Sequence, residues 1–223
     1  MRILFFIVGL FVSVSFYSQN GMGEYDTPLY LSEIGECPSC VEMLVVNDTN
    51  NMSELVKECS NISLLILENT SIDSLPSYFS EFKKLEKIRL TKVLSVPSNF
   101  EIIENLKSLD LIECQNLKFD SVFFKSISLN RLKIWECSDL NLSYLSASTI
   151  FFARNKLGWN NGKEIIIDNC KELIVFESDY NIVYDLNLRS HVKKMHFEMC
   201  GDVIIGDKFY EKFNRISEIE IGR

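Results

Sequence analysis

One short pattern recurs along most of the chain. An apolar residue is followed after two positions by a second, and after one more by a third, with a small or polar residue three positions beyond. Val41-x-x-Leu44-x-Val46 leads to Thr49, Ile62-x-x-Leu65-x-Leu67 to Thr70, and Leu85-x-x-Ile88-x-Leu90 to Val93. Leu106-x-x-Leu109-x-Leu111 leads to Cys114, and Leu129-x-x-Leu132-x-Ile134 to Cys137. The middle apolar residues fall at 44, 65, 88, 109 and 132, spaced by 21, 23, 21 and 23. The last two apolar positions of each unit are two apart, the period that puts side chains on one face of a strand. One short strand per unit is therefore predicted, with its inward residues stacked on those of the next unit, because no unit can bury its apolar face alone. Between strands, Ile72-x-x-Leu75-Pro76-x-x-Phe79-x-x-Phe82 and Val96-Pro97-x-x-Phe100-x-x-Ile103 repeat every third position, which suits tight turns of three residues. The prolines stand just ahead of those turns, where a missing N–H does no harm.

This pattern resembles the leucine-rich-repeat family, whose units run ~20–29 residues. The resemblance covers roughly 41–145. It implies an α/β, β-rich solenoid: a right-handed coil with a parallel sheet on its concave face and short helical, 3₁₀ or loop segments on its convex face. Beyond 145 the strands are placed at Ile150-x-Phe152, Ile165-x-Ile167, Met195-x-Phe197 and Ile219-x-Ile221, at gaps of 18, 15, 30 and 24. Leu186-x-Leu188 is a further candidate inside the longest gap. Short gaps leave little room for a helix, so bare strand-turn coils nearer a β-helix are expected from 146 to 223.

Met1-Arg2 followed by the apolar run Ile3 to Phe16, then Tyr17-Ser18-Gln19-Asn20, reads as a cleavable export signal over 1–19. Its 14 residues rise only ~21 Å as a helix, too short for a ~30 Å hydrocarbon core. The expected organisation is signal 1–19, linker and cap 20–40, and solenoid 41–223, secreted or held in the periplasm or at the cell surface. No second long apolar run follows, so no membrane span is expected in the mature chain. The net charge of −8 argues against a nucleic-acid partner, which calls for a basic field.

Of seven cysteines, Cys114, Cys137, Cys170 and Cys200 follow a strand pair at the position where the family carries Asn or Cys, and are read as inward structural thiols. Cys37-Pro38-Ser39-Cys40 lacks the strand and long helix of a redox motif and the second half of a zinc site. In an exported chain, a disulfide among Cys37, Cys40 and Cys59 closing an N-terminal cap is the leading expectation. A redox role for Cys37 and Cys40 is the competing one.

Chemistry is otherwise sparse. None of the common hydrolase, metalloprotease, phosphate-loop or calcium-loop motifs occurs, and no cofactor or metal is implied. His191 and His196 are read as surface residues, and Glu218 and Glu220 as a solvated strand edge. Five Asn-x-Ser/Thr sequences, at Asn47, Asn51, Asn61, Asn69 and Asn141, fit the Asn- and Ser-rich composition.

The outward strand positions carry the functional signal. Lys87, Arg89, Arg131 and Lys133 are basic within an acidic chain, and Trp135, Phe151, Ile112 and Ile166 are large and apolar where water is expected. An apolar patch edged by Arg and Lys has the composition of a binding hot spot. Two plainer readings stand beside it: a loop such as 156–162 covers Trp135 and Phe151, or the register slips by one and buries Phe151 in place of Phe152. The expected function is non-catalytic recognition on the concave face through Lys87, Arg89, Ile112, Arg131, Lys133, Trp135 and Phe151. A protein is the favoured partner, because flat strands offer breadth rather than depth; an anionic glycan is the other ligand class. Thiol-disulfide chemistry and a purely structural, self-assembling role are the alternatives.

Overall fold

The computed structural model describes residues 29–30, 41–47, 54–117, 119, 123–156, 159–201, 203 and 207–222. The export signal, Cys37 and Cys40 fall outside the described residues. Twelve strands lie among those described: β1 Leu29–Tyr30, β2 Met43–Val46, β3 Leu64–Glu68, β4 Lys87–Thr91, β5 Ser108–Ile112, β6 Leu129–Trp135, β7 Tyr144–Ala153, β8 Ile165–Asp168, β9 Glu172–Phe176, β10 Leu186–Leu188, β11 Val192–Glu198 and β12 Ile216–Gly222. Every pairing between them is parallel. Two short helices, α1 Phe123–Ser126 and α2 Asp207–Lys212, and several 3₁₀ turns connect them.

The main sheet runs in the order β1-β2-β3-β4-β5-β6-β7-β9-β11-β12. Its register follows the apolar anchors. Leu44, Leu65, Ile88, Leu109 and Leu132 are direct neighbours across successive strands, and all are fully buried. The ladder continues through Ile150, Leu173, Met195 and Ile219. Because both anchors of a strand are buried, a slip by one residue would turn every buried Leu and Ile to water, which fixes the pairing.

The coils after 145 correct the sequence reading. Ile165-x-Ile167 is not the next strand of the main sheet; β9, with Leu173-x-Val175, takes that place beside β7. The main-sheet anchors after 132 are 150, 173, 195 and 219, so the gaps are 18, 23, 22 and 24 and the repeat is nearly regular. β8 instead pairs with the first residues of β7 and with β10, through Tyr144–Ile166–Asn187 and Leu145–Ile167–Leu188. The β8–β9 and β10–β11 coils thus carry two strands each, separated by a brief turn, while β7 runs unbroken through both pairings, and a second small parallel sheet flanks the main one.

Two side-chain devices close the bends. Asn99 accepts the Leu75 N–H at 2.7 Å and donates to the Leu75 carbonyl at 2.9 Å; Asn160, fully buried, does the same for Leu142 at 2.7 and 2.8 Å. Each amide replaces the two hydrogen bonds that a bend leaves open. On the other edge, the residue two beyond the second anchor turns left-handed in coil after coil: Asn69, Lys92, Glu113, Glu136, Arg154, Glu177 and Met199, with φ from 42° to 53°. The N–H groups of the first six reach the carbonyls of Thr91, Ile112, Trp135, Ala153, Phe176 and Glu198 at 2.8–3.0 Å. The turn therefore carries the ladder one bond past the strand. Under the 3₁₀ turns the core thickens with Phe79 and Phe82, 5.0 Å apart, and then Phe100 and Phe123, 5.5 Å apart.

Candidate functional site

The outward face of the main sheet is built from three columns of alternate residues. From β4 to β12 the first column reads Lys87, Ser108, Arg131, Thr149, Glu172, Lys194, Glu218. The second reads Arg89, Asp110, Lys133, Phe151, Ile174, His196, Glu220, and the third Thr91, Ile112, Trp135, Ala153, Phe176, Glu198, Gly222. Neighbours in a column are one strand spacing apart, about 4.8 Å.

The structure brings six of the expected residues, Lys87, Arg89, Ile112, Arg131, Lys133 and Trp135, onto adjacent strands, with Phe151 on the next. Lys87, Arg89, Arg131 and Lys133 stand at four corners around Ser108 and Asp110 of β5. Asp110 is 3% exposed and pairs with Arg89 at 3.4 Å. Asp110 Oδ1, Arg89 Nε and Ser108 Oγ are buried with no hydrogen-bond partner among the described residues, an arrangement that costs free energy unless a ligand or water completes it.

Lys133 is the centre of the patch. Its Nζ lies 4.1 Å from the ring centroid of Trp135 and 5.5 Å from that of Phe151. Burial pulls its pKa down to about 8; Asp110 works against this, while Arg131, Arg89 and Lys87 add to it by repulsion. The Arg154 guanidinium sits 5.2 Å from the Trp135 ring and pairs with Glu136 at 3.2 Å and with Glu177. Phe176 extends the aromatic surface, its ring 6.1 Å from Phe151 and 6.4 Å from Trp135.

The plainer readings of this patch can be judged from the packing. Phe152 is fully buried and Phe151 half-buried, so the outward register of 150–152 stands. Trp159 turns inward onto Phe152 at 5.1 Å, and the half-burial of Trp135 and Phe151 involves Lys133, Phe176 and, over Trp135, Arg154. Phe176 and Ile174 are face residues that the sequence reading missed; Ile166 belongs to the second sheet.

The far end of the face is acidic. Lys194 pairs with Glu220 at 2.6 Å, and His196 Nδ1 meets the same carboxylate at 3.0 Å. The bond to Lys194 holds the Glu220 pKa below the usual carboxylate range. Glu172, Glu198 and Glu218 add three more carboxylates around them.

The thiols lie away from this face. Cys114 donates to the Leu90 carbonyl at 3.4 Å, Cys137 to Leu111 at 3.6 Å and Cys200 to Val175 at 3.1 Å. Asn155 holds the same position, donating to Ile134 at 2.8 Å and accepting the Cys137 N–H at 3.0 Å. These side chains stitch each coil to the one before it. Cys170 serves the smaller sheet and donates to the Glu172 carbonyl at 3.2 Å. Cys59 is buried, and burial, with Glu58, pushes its thiol pKa up; its expected partners Cys37 and Cys40 lie outside the described residues.

Fold and face together define a parallel β-rich solenoid with one mixed basic, aromatic and acidic surface. No family model matches the chain, and no curated protein is significantly similar to it.

Proposed function

We propose that the chain is an exported solenoid of leucine-rich-repeat type that recognises a protein on the outward face of its main sheet, without catalysis. The family reading draws on the 21–24-residue spacing that seven of the eight main-sheet steps keep and on the Cys/Asn position that stitches coil to coil. The observation that carries the functional reading is the Lys133, Trp135, Phe151 and Phe176 cluster. Large aromatic rings and desolvated cations on an outward sheet face are the residue types on which interface energy concentrates, and cation–π contacts of this kind are worth about 0.5–2 kcal/mol each. Asp110 Oδ1, Arg89 Nε and Ser108 Oγ, buried and without a hydrogen-bond partner among the described residues, supply directional groups beside it.

The test is affinity capture with the wild-type chain and a Lys133→Glu/Trp135→Ala double variant, the latter checked for folding by circular dichroism, against protein extracts and a glycan panel. A protein held by the wild type and lost by the folded variant is the expected result. Equal retention by both overturns the assignment of the face, and capture confined to anionic glycans overturns the choice of partner.

A further inference from the structure

We propose that the partner this face fits is a second copy of the chain, seated face to face about a two-fold axis running along β7. The proposal rests on the recognition reading above and narrows it to one occupant. From β4 to β12 the main sheet has seven strands, in the order β4-β5-β6-β7-β9-β11-β12, with β7 in the middle. A two-fold axis parallel to the strands and lying between two such faces keeps strand direction and column. It lays β6 on β9, β5 on β11 and β4 on β12.

The charges then match strand by strand. Arg131 of one copy meets Glu172 of the other, Lys87 meets Glu218, and Arg89 meets Glu220. Asp110 lies opposite His196, whose Nε2 has no hydrogen-bond partner among the described residues and lies 3.8 Å from a Glu198 carboxylate oxygen. Trp135 meets Phe176, and Phe151 meets itself on the axis. Ile112 opposite Glu198, Lys133 opposite Ile174 and Lys194 opposite Ser108 gain no charge partner. The other axis that could lie between the faces, across the strands, would set Arg89, Lys133 and Glu220 each against its own copy, with like charges opposed. A foreign partner of one sign would be opposed by half of this face; a second copy satisfies both halves.

Seven strands span about 29 Å, and five residues along a strand about 16 Å. The covered area is about 450 Å² per copy, or about 900 Å² in total, below the standard size of a stable interface and in the range of weak complexes. The dimer is therefore expected to be concentration-dependent.

The experiment is sedimentation equilibrium of the exported chain from about 1 μM to about 1 mM, where interfaces of this size associate. It is repeated with Arg131→Glu, with Glu172→Arg and with their equimolar mixture. The expected result is a dimer for the wild type, association at least about tenfold weaker for each variant alone, and recovery in the mixture. In the mixed pair both contacts again join opposite charges, so recovery also shows that both variants fold. A wild type that stays monomeric, a dimer indifferent to both substitutions, or a mixture without recovery overturns the proposal. A monomeric wild type whose captured protein is still lost in the Lys133/Trp135 variant would sink the second copy alone and leave the recognition reading standing.

Discussion

Lys133 Nζ lies 4.1 Å from the ring centroid of Trp135, two residues along the same strand and therefore in the next outward position. The contact follows from strand alternation alone: residues two apart share a face, and a lysine is long enough to arch over its neighbour. Three cations on β4 and β6 crowd the ammonium, and one buried carboxylate, Asp110, answers them.

A titration follows from this arrangement. The Lys133 amine should titrate near pH 8, observed as the Lys side-chain resonances shift in NMR. Asp110→Asn should lower that midpoint further, because Asp110 is the group holding it up, and Arg131→Gln should raise it. The folded pKa lies below the unfolded value of about 10.4, so between those two values the unfolded chain binds the extra proton. Stability should accordingly rise as pH increases from about 8 toward 10.4, with the penalty for holding the charged form fully present below that window. A Lys133 midpoint at the ordinary value in the folded chain would contradict the packing of the patch.

Asn155 ties three coils together. It accepts from Cys137, donates to Ile134 and offers its own N–H to Ser178 Oγ at 3.0 Å. Asn155→Ala leaves the Cys137 N–H buried without its side-chain acceptor, at about 1–3 kcal/mol, and removes a side-chain donor from the Ile134 carbonyl. A loss of roughly 1–3 kcal/mol in urea unfolding is expected. Asn155→Cys should lose less, since a thiol fills this position at Cys114 and Cys137 and donates to the preceding coil. Equal losses for the two variants would show that the amide acts through its shape rather than its hydrogen bonds.

Much of the fold is legible in the chain because burial fixes parity. Leu44, Leu65, Ile88, Leu109 and Leu132 are spaced by the repeat and stack as the spacing requires. The reading fails at Ile165 because a coil with two strands carries two apolar pairs of the same form. Ile165-x-Ile167 and Leu173-x-Val175 look alike, and only the distance from Ile150, 23 residues to Leu173, separates them. The site inherits that error. Lys133, Trp135 and Phe151 are read from strands placed correctly, whereas Phe176 and Ile174 sit on the strand that was passed over. Arg154 reaches Trp135 from a left-handed turn, and no alternation rule predicts where such a residue points.

The left-handed column gives a stability prediction. Met199 has φ 52° and is 54% exposed, so it bears the steric cost of that conformation without burying its side chain. Met199→Gly removes the Cβ clash and adds some unfolded-state entropy. A net gain of about 0.5–1 kcal/mol is expected, which for a chain of this size is a rise in Tm of about 1–4 °C. A fall in Tm would mean that the Met199 side chain makes a contribution that its exposure conceals.

The thiols separate a structural role from a reactive one. Cys114, Cys137 and Cys170 are buried and donate to backbone carbonyls of the coil stack; burial pushes the Cys170 pKa up to about 12, whereas the hydrogen bond with Cys137 draws the Cys114 pKa down to about 7, so lack of access alone protects Cys114. Cys200 is half-buried near the last coil, and burial raises its pKa as well. A thiolate is the reacting species, so reaction with a disulfide reagent at pH 8 needs both access and ionisation. In the native chain Cys200 should react first, and slowly. Cys114, Cys137 and Cys170 should react together at the rate of global unfolding, because their coils open only when the stack does. Rapid native modification of any of these three, followed by mass spectrometry of the peptides, would show that the stack opens locally at that coil. The ladder of carbonyl acceptors from Leu90 to Val175 would then be a weaker seam than its hydrogen bonds suggest.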